Sequence, residues 1–168
     1  MLYDRTYMRN PLKKGFYSVV DKLIIALSAT FIIRFILTIL LDDYDLFIDE
    51  FSFSIESLSN GYVWSVFTYI FIHHDIIHLL LNLLLIHFLG RQTEIILGPQ
   101  TFIWLCFLGA VSGGLSWLCF NYNYSGGVPR LIGASAVCMS CLTYFCLHRP
   151  NEEISLSLIH ISEPTRHE

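Results

Sequence analysis

Apolar residues along this chain gather into four long blocks, and the polar residues collect between them rather than alternating with them. The blocks run from Leu23 to Leu41, from about Asp75 to Leu89, from Thr101 to Phe120 and from about Gly133 to Leu147. A hydrocarbon core of about 30 Å takes about 20 helical residues to cross. The pattern therefore predicts an all-α, polytopic bundle of transmembrane helices. The second and fourth blocks are short for a span and need protein neighbours or thinned lipid around them. The first follows a basic lead (Arg5, Arg9, Lys13, Lys14) and is not followed by a small-residue cleavage site, so it reads as a retained helix rather than a signal peptide.

Composition agrees, since 54% of the 168 residues are hydrophobic and 14% charged, far from the balance of a soluble domain. The lipid bilayer is the expected partner and no nucleic acid is expected. Lys and Arg beside the spans set the orientation. The segment between the first two spans carries Asp42, Asp43, Asp45, Asp49, Glu50 and Glu56 without a Lys or Arg, whereas Arg91 and Arg149 flank the opposite ends. This predicts a cytoplasmic N-terminus, an acidic outer loop and an outer Gly-rich connection, in a bacterial-type plasma membrane; Arg130 is the exception. The chain divides into a lead over residues 1–22, a membrane domain over 23–148 and a tail over 149–168.

Several local features have bland readings. Arg34, inside the first span, either marks function or snorkels toward the nearer headgroups, and snorkelling is the favoured reading. The aromatic run Tyr62–Tyr69 reads as an interfacial belt or as a loop partly inserted in the outer leaflet. Gly109 and Gly113 form a small-xxx-small face for helix packing. The five cysteines (Cys106, Cys119, Cys138, Cys141, Cys146) imply no disulfide framework, and the Cys138-x-x-Cys141 pair reads as packing. The tail Ser157-Leu158-Ile159-His160-Ile161-Ser162-Glu163-Pro164-Thr165-Arg166 resembles a translated sequencing adapter, which predicts a non-native or disordered end beyond about Leu156; its ordinary reading is a short cytoplasmic tail.

Two polar sets lie where polarity is costly. In the first, His78 and Asn82 are four apart and share a helix face, with Asn82 about one turn deeper. In the second, Gly133-Ala134-Ser135-Ala136 opens the fourth block, with small residues leaving the Ser135 hydroxyl unshielded. Charge topology brings both sets to the outer side. A serine facing amide and imidazole donors is the arrangement acyl transfer asks for, with donors aimed where the carbonyl oxygen becomes an anion.

These residues resemble the rhomboid proteases over roughly Trp64 to Tyr144. The shared features are the His78-x-x-x-Asn82 pair, His73 five residues earlier, Glu94 and Gly98 in the following turn, the Gly109/Gly113 helix and the G-x-S motif ending at Ser135. The resemblance implies a six-helix core, four spans of which are present here. It further implies Ser135 as nucleophile, an oxyanion hole of His78, Asn82 and the Ser135 N–H, and supporting roles for His73 and Gly133. No cofactor or metal is implied, and the substrates would be transmembrane helices cut near their outer ends. Trp64-Ser65 stands where many relatives have Trp-Arg, and Ala136 where Gly is commoner. The base belongs on a sixth helix, and none of His148, His160 or His167 sits in a matching context. The chain is therefore expected to be an inactive fragment of an active parent.

Two alternatives stay open. One is a non-catalytic relative that binds transmembrane helices. The other is a His-box metal enzyme, because His74-Asp75-x-x-His78 clusters three potential ligands. Taken singly, His74 reads as interfacial, Asn82 as an interhelical hydrogen bonder and Ser135 as a small residue at a helix crossing. Arg91 and Glu94 read as structural, tying the cytoplasmic turn.

Overall fold

The computed structural model describes residues 18–41, 46–122 and 129–149. Residues 1–17 of the lead and 150–168 of the tail fall outside the described residues, and the last residues of the lead form the start of α1. Eight α-helices occur among them: α1 (Val19–Leu41), α2 (Leu46–Phe51), α3 (Ile55–Ser59), α4 (Ser65–Thr68), α5 (Ile76–Leu85), α6 (Arg91–Leu97), α7 (Pro99–Asn121) and α8 (Ser135–His148). A 3₁₀ turn (Tyr69–Phe71) follows α4, and a π-helical turn (Ile86–Gly90) joins α5 to α6 without a break. The only β pairing among these residues is an isolated bridge between Phe53 and Leu131. Three of the helical runs, Val19–Leu41, Ile76–Leu97 and Pro99–Asn121, are long and apolar enough to cross a membrane.

The second run differs from its expected extent. Arg91 and Glu94 read as a turn, yet the helix continues through them to Leu97 and reaches span length. The reason lies in α1. Ser18 and Asp21 cap it reciprocally, the Asp21 N–H donating to Ser18 Oγ and the Ser18 N–H to Asp21 Oδ2, both at 3.1 Å. The next two free N–H groups, of Val19 and Val20, donate to the Glu94 carboxylate at 2.9 and 3.1 Å. Arg91 pairs with Asp21. The polar residues of α6 thus complete the start of α1, and nothing obliges the helix to stop at them. It stops at Gly98, in a left-handed conformation (φ +78°), and Pro99 then opens α7.

In α1 the buried residues are Val20, Leu27 and Arg34, a single stripe repeating every seven positions. The rest of the helix turns large apolar side chains outward, Phe35, Ile39 and Leu40 among them. An apolar exterior suits lipid rather than water. Contacts from Val19 to Glu94 at one end, and from Thr30 Oγ1 to the Phe71 carbonyl (3.1 Å) toward the other, run α1 antiparallel to the helix of α5 and α6.

The Gly109/Gly113 face acts as a packing surface. A Cβ on Gly109 would meet Ser140 Oγ at 2.1 Å, and one on Gly113 would meet Ala136 Cβ at 2.6 Å. Two four-residue steps, one on each helix, therefore interlock and bring α7 against α8 at backbone distance. With 14 residues α8 is about 21 Å long. That is less than a bilayer core, and it is flanked by protein on its Val137, Cys138, Cys141 and Phe145 face.

The acidic connection folds into α2, α3 and α4 rather than remaining a loop. Ser54 and Ser57 cap α3 through a reciprocal pair of 2.9 Å bonds, and Ser57 Oγ lies 3.2 Å from Ser65 Oγ, all three serines being buried. Arg130, the exception to the charge pattern, pairs with Asp49.

Candidate active site

Two anchors hold the segment that leads into α8. Phe53 and Leu131 exchange backbone hydrogen bonds of 3.1 and 2.8 Å, and the Gly133 N–H donates to the Tyr69 carbonyl at 3.0 Å. Tyr69 is itself fixed, fully buried, with its hydroxyl donating to the Ala110 carbonyl of α7 at 2.8 Å. The chain then passes Gly133 at φ +102°, a conformation that glycine takes at little cost. Space makes the same demand, because a Cβ there would lie 2.5 Å from His78 Cε1, 2.6 Å from His78 Nε2 and 3.7 Å from Asn82 Nδ2. The absence of a side chain at residue 133 is what lets this loop lie on the polar face of α5.

That face is built from the start of the helix. Asp75 caps α5, its Oδ1 accepting the His78 N–H at 2.8 Å. The bond holds the exposed carboxyl below its usual range, with the His78 backbone N–H as the largest cause. One turn beyond His78, Asn82 is buried and its Nδ2 sits 3.1 Å from Nε2 of buried His73. The Ala134 N–H reaches the same nitrogen at 3.4 Å. On the other side of the amide, the Cys138 thiol donates to Asn82 Oδ1 at 3.5 Å. Burial, assisted by the neighbouring His78, pushes the His73 imidazole from its ordinary 6.5 down to about 4. His73 and His78 meet edge to face with ring centroids 5.0 Å apart.

Ser135 is the first residue of α8 and is exposed. Among the described residues its hydroxyl makes no hydrogen bond to an imidazole or to Asn82. His73 lies against both Asn82 and the His78 ring, Gly133 lies against His78 and Asn82, and Ser135 stands two residues beyond Gly133. Its depth follows from two neighbours. Ala136 lies against Gly113, eight residues short of the end of α7, and His73 lies against Arg34, seven residues short of the end of α1. At 1.5 Å per residue, both put the site about 10–12 Å beneath the helix ends. As the first residue of a helix, Ser135 also presents an N–H that no intrahelical carbonyl takes up, at the positive end of the helix dipole.

Two residues of this site escape a sequence reading. Arg34 was expected to snorkel outward, but it is 5% exposed and donates to the backbone carbonyl of His73. A guanidinium taken from water costs several kcal/mol unless it is well bonded, and a carbonyl exposed by the bend before α5 is such a partner. Cys138 reads as packing, whereas it holds the far side of the Asn82 amide. Its position three residues after Ser135, on the same helical turn, is the signal that could have pointed to it. His74 and Asp75 are exposed and 3.6 Å apart. Among the described residues no three His, Cys, Asp or Glu side chains come close enough together to share a metal ion.

Fold and site together define a polytopic helical membrane protein. Its G-x-S turn lies sunk below the helix ends against a His-x-x-x-Asn face. A family model described as "Rhomboid domain" matches residues 60–162, well over half of the chain, and the chain belongs to the rhomboid family. No curated protein and no solved structure matches it.

Proposed function

We propose that this chain carries the nucleophile and oxyanion hole of an intramembrane serine endopeptidase that cleaves transmembrane helices of other proteins. Ser135 Oγ attacks the scissile carbonyl carbon and a histidine base takes its proton. The carbonyl oxygen becomes an anion received by Asn82 Nδ2, His78 and the Ser135 N–H. Collapse of this intermediate expels the amine with the proton returned by the base and leaves an acyl-enzyme, which water then hydrolyses. His73 and Gly133 support the donors. The chemistry needs no cofactor; the partners are the bilayer and transmembrane substrates. The N-terminus faces the cytoplasm of a bacterial-type plasma membrane, with the acidic segment outside. The base is an in-membrane histidine on a helix beyond those described.

The observation that carries this reading is the approach of residue 133 to α5. Only a glycine two residues before the serine lets the His78 ring and the Asn82 amide lie against the turn that presents Ser135. Packing alone would be served by apolar residues at 78 and 82, at no cost in buried polarity. The test is cleavage of a single-span model substrate in liposomes by the protein carrying its complete membrane domain. Ser135→Ala is expected to abolish cleavage with expression unchanged. Asn82→Ala is expected to lower kcat by about 10²–10³, the usual loss for one oxyanion donor. Cleavage that persists without the serine hydroxyl would overturn the assignment.

A second reading, a non-catalytic protein that holds transmembrane helices, is favoured by the lack of an imidazole partner for Ser135 among the described residues. It predicts substrate-helix binding that is the same in wild type and Ser135→Ala, with no acyl-enzyme trapped from either.

A further inference from the structure

His73 Nε2 receives two groups at once, the Ala134 backbone N–H at 3.4 Å and Asn82 Nδ2 at 3.1 Å. A backbone N–H can only donate, so this ring nitrogen must be the one carrying the lone pair, and a neutral ring then keeps its proton on Nδ1, a buried atom with no hydrogen-bond partner among the described residues. With Nε2 as acceptor, Asn82 must turn its NH₂ toward it. The amide oxygen is thereby turned to Cys138, whose thiol is a donor within reach at 3.5 Å. One chemically unambiguous group, the Ala134 N–H, thus fixes a tautomer and an amide orientation in sequence. Asn82 Nδ2 keeps a second N–H, and the nitrogen lies close to the serine turn, 3.7 Å from where a Cβ on residue 133 would stand.

The ring is held by its backbone. Arg34, buried in α1, donates to the His73 carbonyl, and that contact, with the one from Thr30 Oγ1 to the Phe71 carbonyl, links α1 to the bend before α5. Burial favours the neutral ring, and so do the nearby His78 and the Arg34 charge, against the opposing Asp75 carboxylate and a backbone contact from Phe71.

We propose that His73, neutral and protonated on Nδ1, is a positioning residue that fixes Asn82 as a hydrogen-bond donor and ties it to the serine turn, with Arg34 holding His73 in place from α1. The proposal rests on the reading of Asn82 as an oxyanion donor. Its decisive measurement, however, does not need turnover. The full chain is labelled with ¹⁵N-histidine and ¹⁵N-asparagine in detergent micelles near pH 7, and His73 and Asn82 are assigned by loss of their signals on substitution. The expected ¹⁵N spectrum has an unprotonated His73 Nε2 and a protonated Nδ1. Exchange of the Asn82 side-chain amide with water should quicken at least tenfold in His73→Phe and return to within about threefold of wild type in His73→Gln, which restores an acceptor. Arg34→Met should give a mixture of the two His73 tautomers, and Arg34→Lys should largely keep the single one. A His73 protonated on Nε2 in the wild type, or an Asn82 amide indifferent to His73→Phe, overturns the proposal whatever the protein cleaves. In a cleaving protein, His73→Phe should lower kcat at least tenfold with KM within about twofold. A correct tautomer in a protein that never cleaves, complete membrane domain included, sustains the positioning geometry and counts against the hydrolase reading alone.

Discussion

The His78 ring lies so close to Gly133 that a single added methyl group would come within 2.5 Å of Cε1 and 2.6 Å of Nε2. A ring carbon and nitrogen cannot give way as a flexible chain end can. The contact therefore fixes how the serine turn and α5 are spaced, and through them the separation of Ser135 from its candidate donors.

Gly133→Ala is accordingly expected to be among the most damaging small substitutions in this chain. It meets the clash and also places a Cβ at φ +102°, with each effect worth about 1–3 kcal/mol. A fall in the thermal midpoint in detergent, together with loss of cleavage, is the expected result. His78→Ala in the same background should relieve the clash without restoring the backbone preference, so part of the stability should return. A Gly133→Ala protein as stable as wild type would show that the turn is looser than its geometry implies.

Glu94 offers a separate prediction, remote from the site. Its carboxylate takes the N–H groups of both Val19 and Val20, and a buried donor left without a partner costs about 1–3 kcal/mol. Glu94→Ala should therefore destabilise the protein by about 2–4 kcal/mol in a denaturant or thermal titration. Glu94→Gln retains one acceptor oxygen and should cost roughly half as much. Ser135 lies toward the opposite helix ends, so the Gln variant, once folded, should keep its nucleophile's reactivity.

What could be read from the sequence divides along a physical line. Long apolar runs announce helices because the bilayer demands continuous internal hydrogen bonding, and so Val19–Leu41 and Pro99–Asn121 lie within a few residues of the expected spans. Gly109 and Gly113 were legible for a similar reason, since their four-residue spacing is a property of one helix. His78, Asn82 and the Gly133 turn could be singled out because polar or small residues are conspicuous in apolar surroundings. Partners distant in sequence were not legible. Arg91 and Glu94 look like a turn until Asp21, Val19 and Val20, 70 to 75 residues away, are laid beside them. Arg34 looks like a snorkelling charge until the bend at His73 offers its carbonyl. Cys138 looks like a small hydrophobe until Asn82 crosses its path. In each case a local pattern has two physical solutions, and only the tertiary neighbour selects one.

Acid should act on this fold through His73. Its imidazole is held down from 6.5 to about 4, first by burial and then by the charge of the neighbouring His78. The unfolded chain, titrating near 6.5, therefore binds more protons than the native state between those values, and the slope of stability with pH is positive there. The contribution is fully present above about pH 6.5 and is lost as the pH falls toward about 4. The groups facing the ring are His78, Arg34 and Asp75, the last with its carboxyl held low chiefly by the His78 backbone N–H. Thermal midpoints measured from pH 7.5 down to 4.5 should drop for wild type and drop less for His73→Gln. Equal acid sensitivity in the two proteins would place the titrating group elsewhere.

Helix α8 carries Ser135, and its seat on α7 is defined by Gly113 against Ala136 and Gly109 against Ser140. A Cβ on Gly113 would come within 2.6 Å of Ala136 Cβ and 2.9 Å of the Tyr69 hydroxyl. Neither neighbour can step aside cheaply, since Ala136 is a methyl on a helix and Tyr69 is held by Ala110. Overpacking of this kind costs about 1–3 kcal/mol and would move the serine turn away from α5, so Gly113→Ala should lose both stability and cleavage. The pairing supplies its own control. Ala136→Gly removes the struck methyl and costs only about 1 kcal/mol of helix propensity, so the double variant Gly113→Ala with Ala136→Gly should recover more stability than the sum of the single changes predicts. The same exchange at Gly109 and Ser140, where the added Cβ would meet Ser140 Oγ at 2.1 Å and Cβ at 2.9 Å, should behave alike. Strict additivity at both pairs in thermal melts would mean that α7 and α8 do not meet along this face.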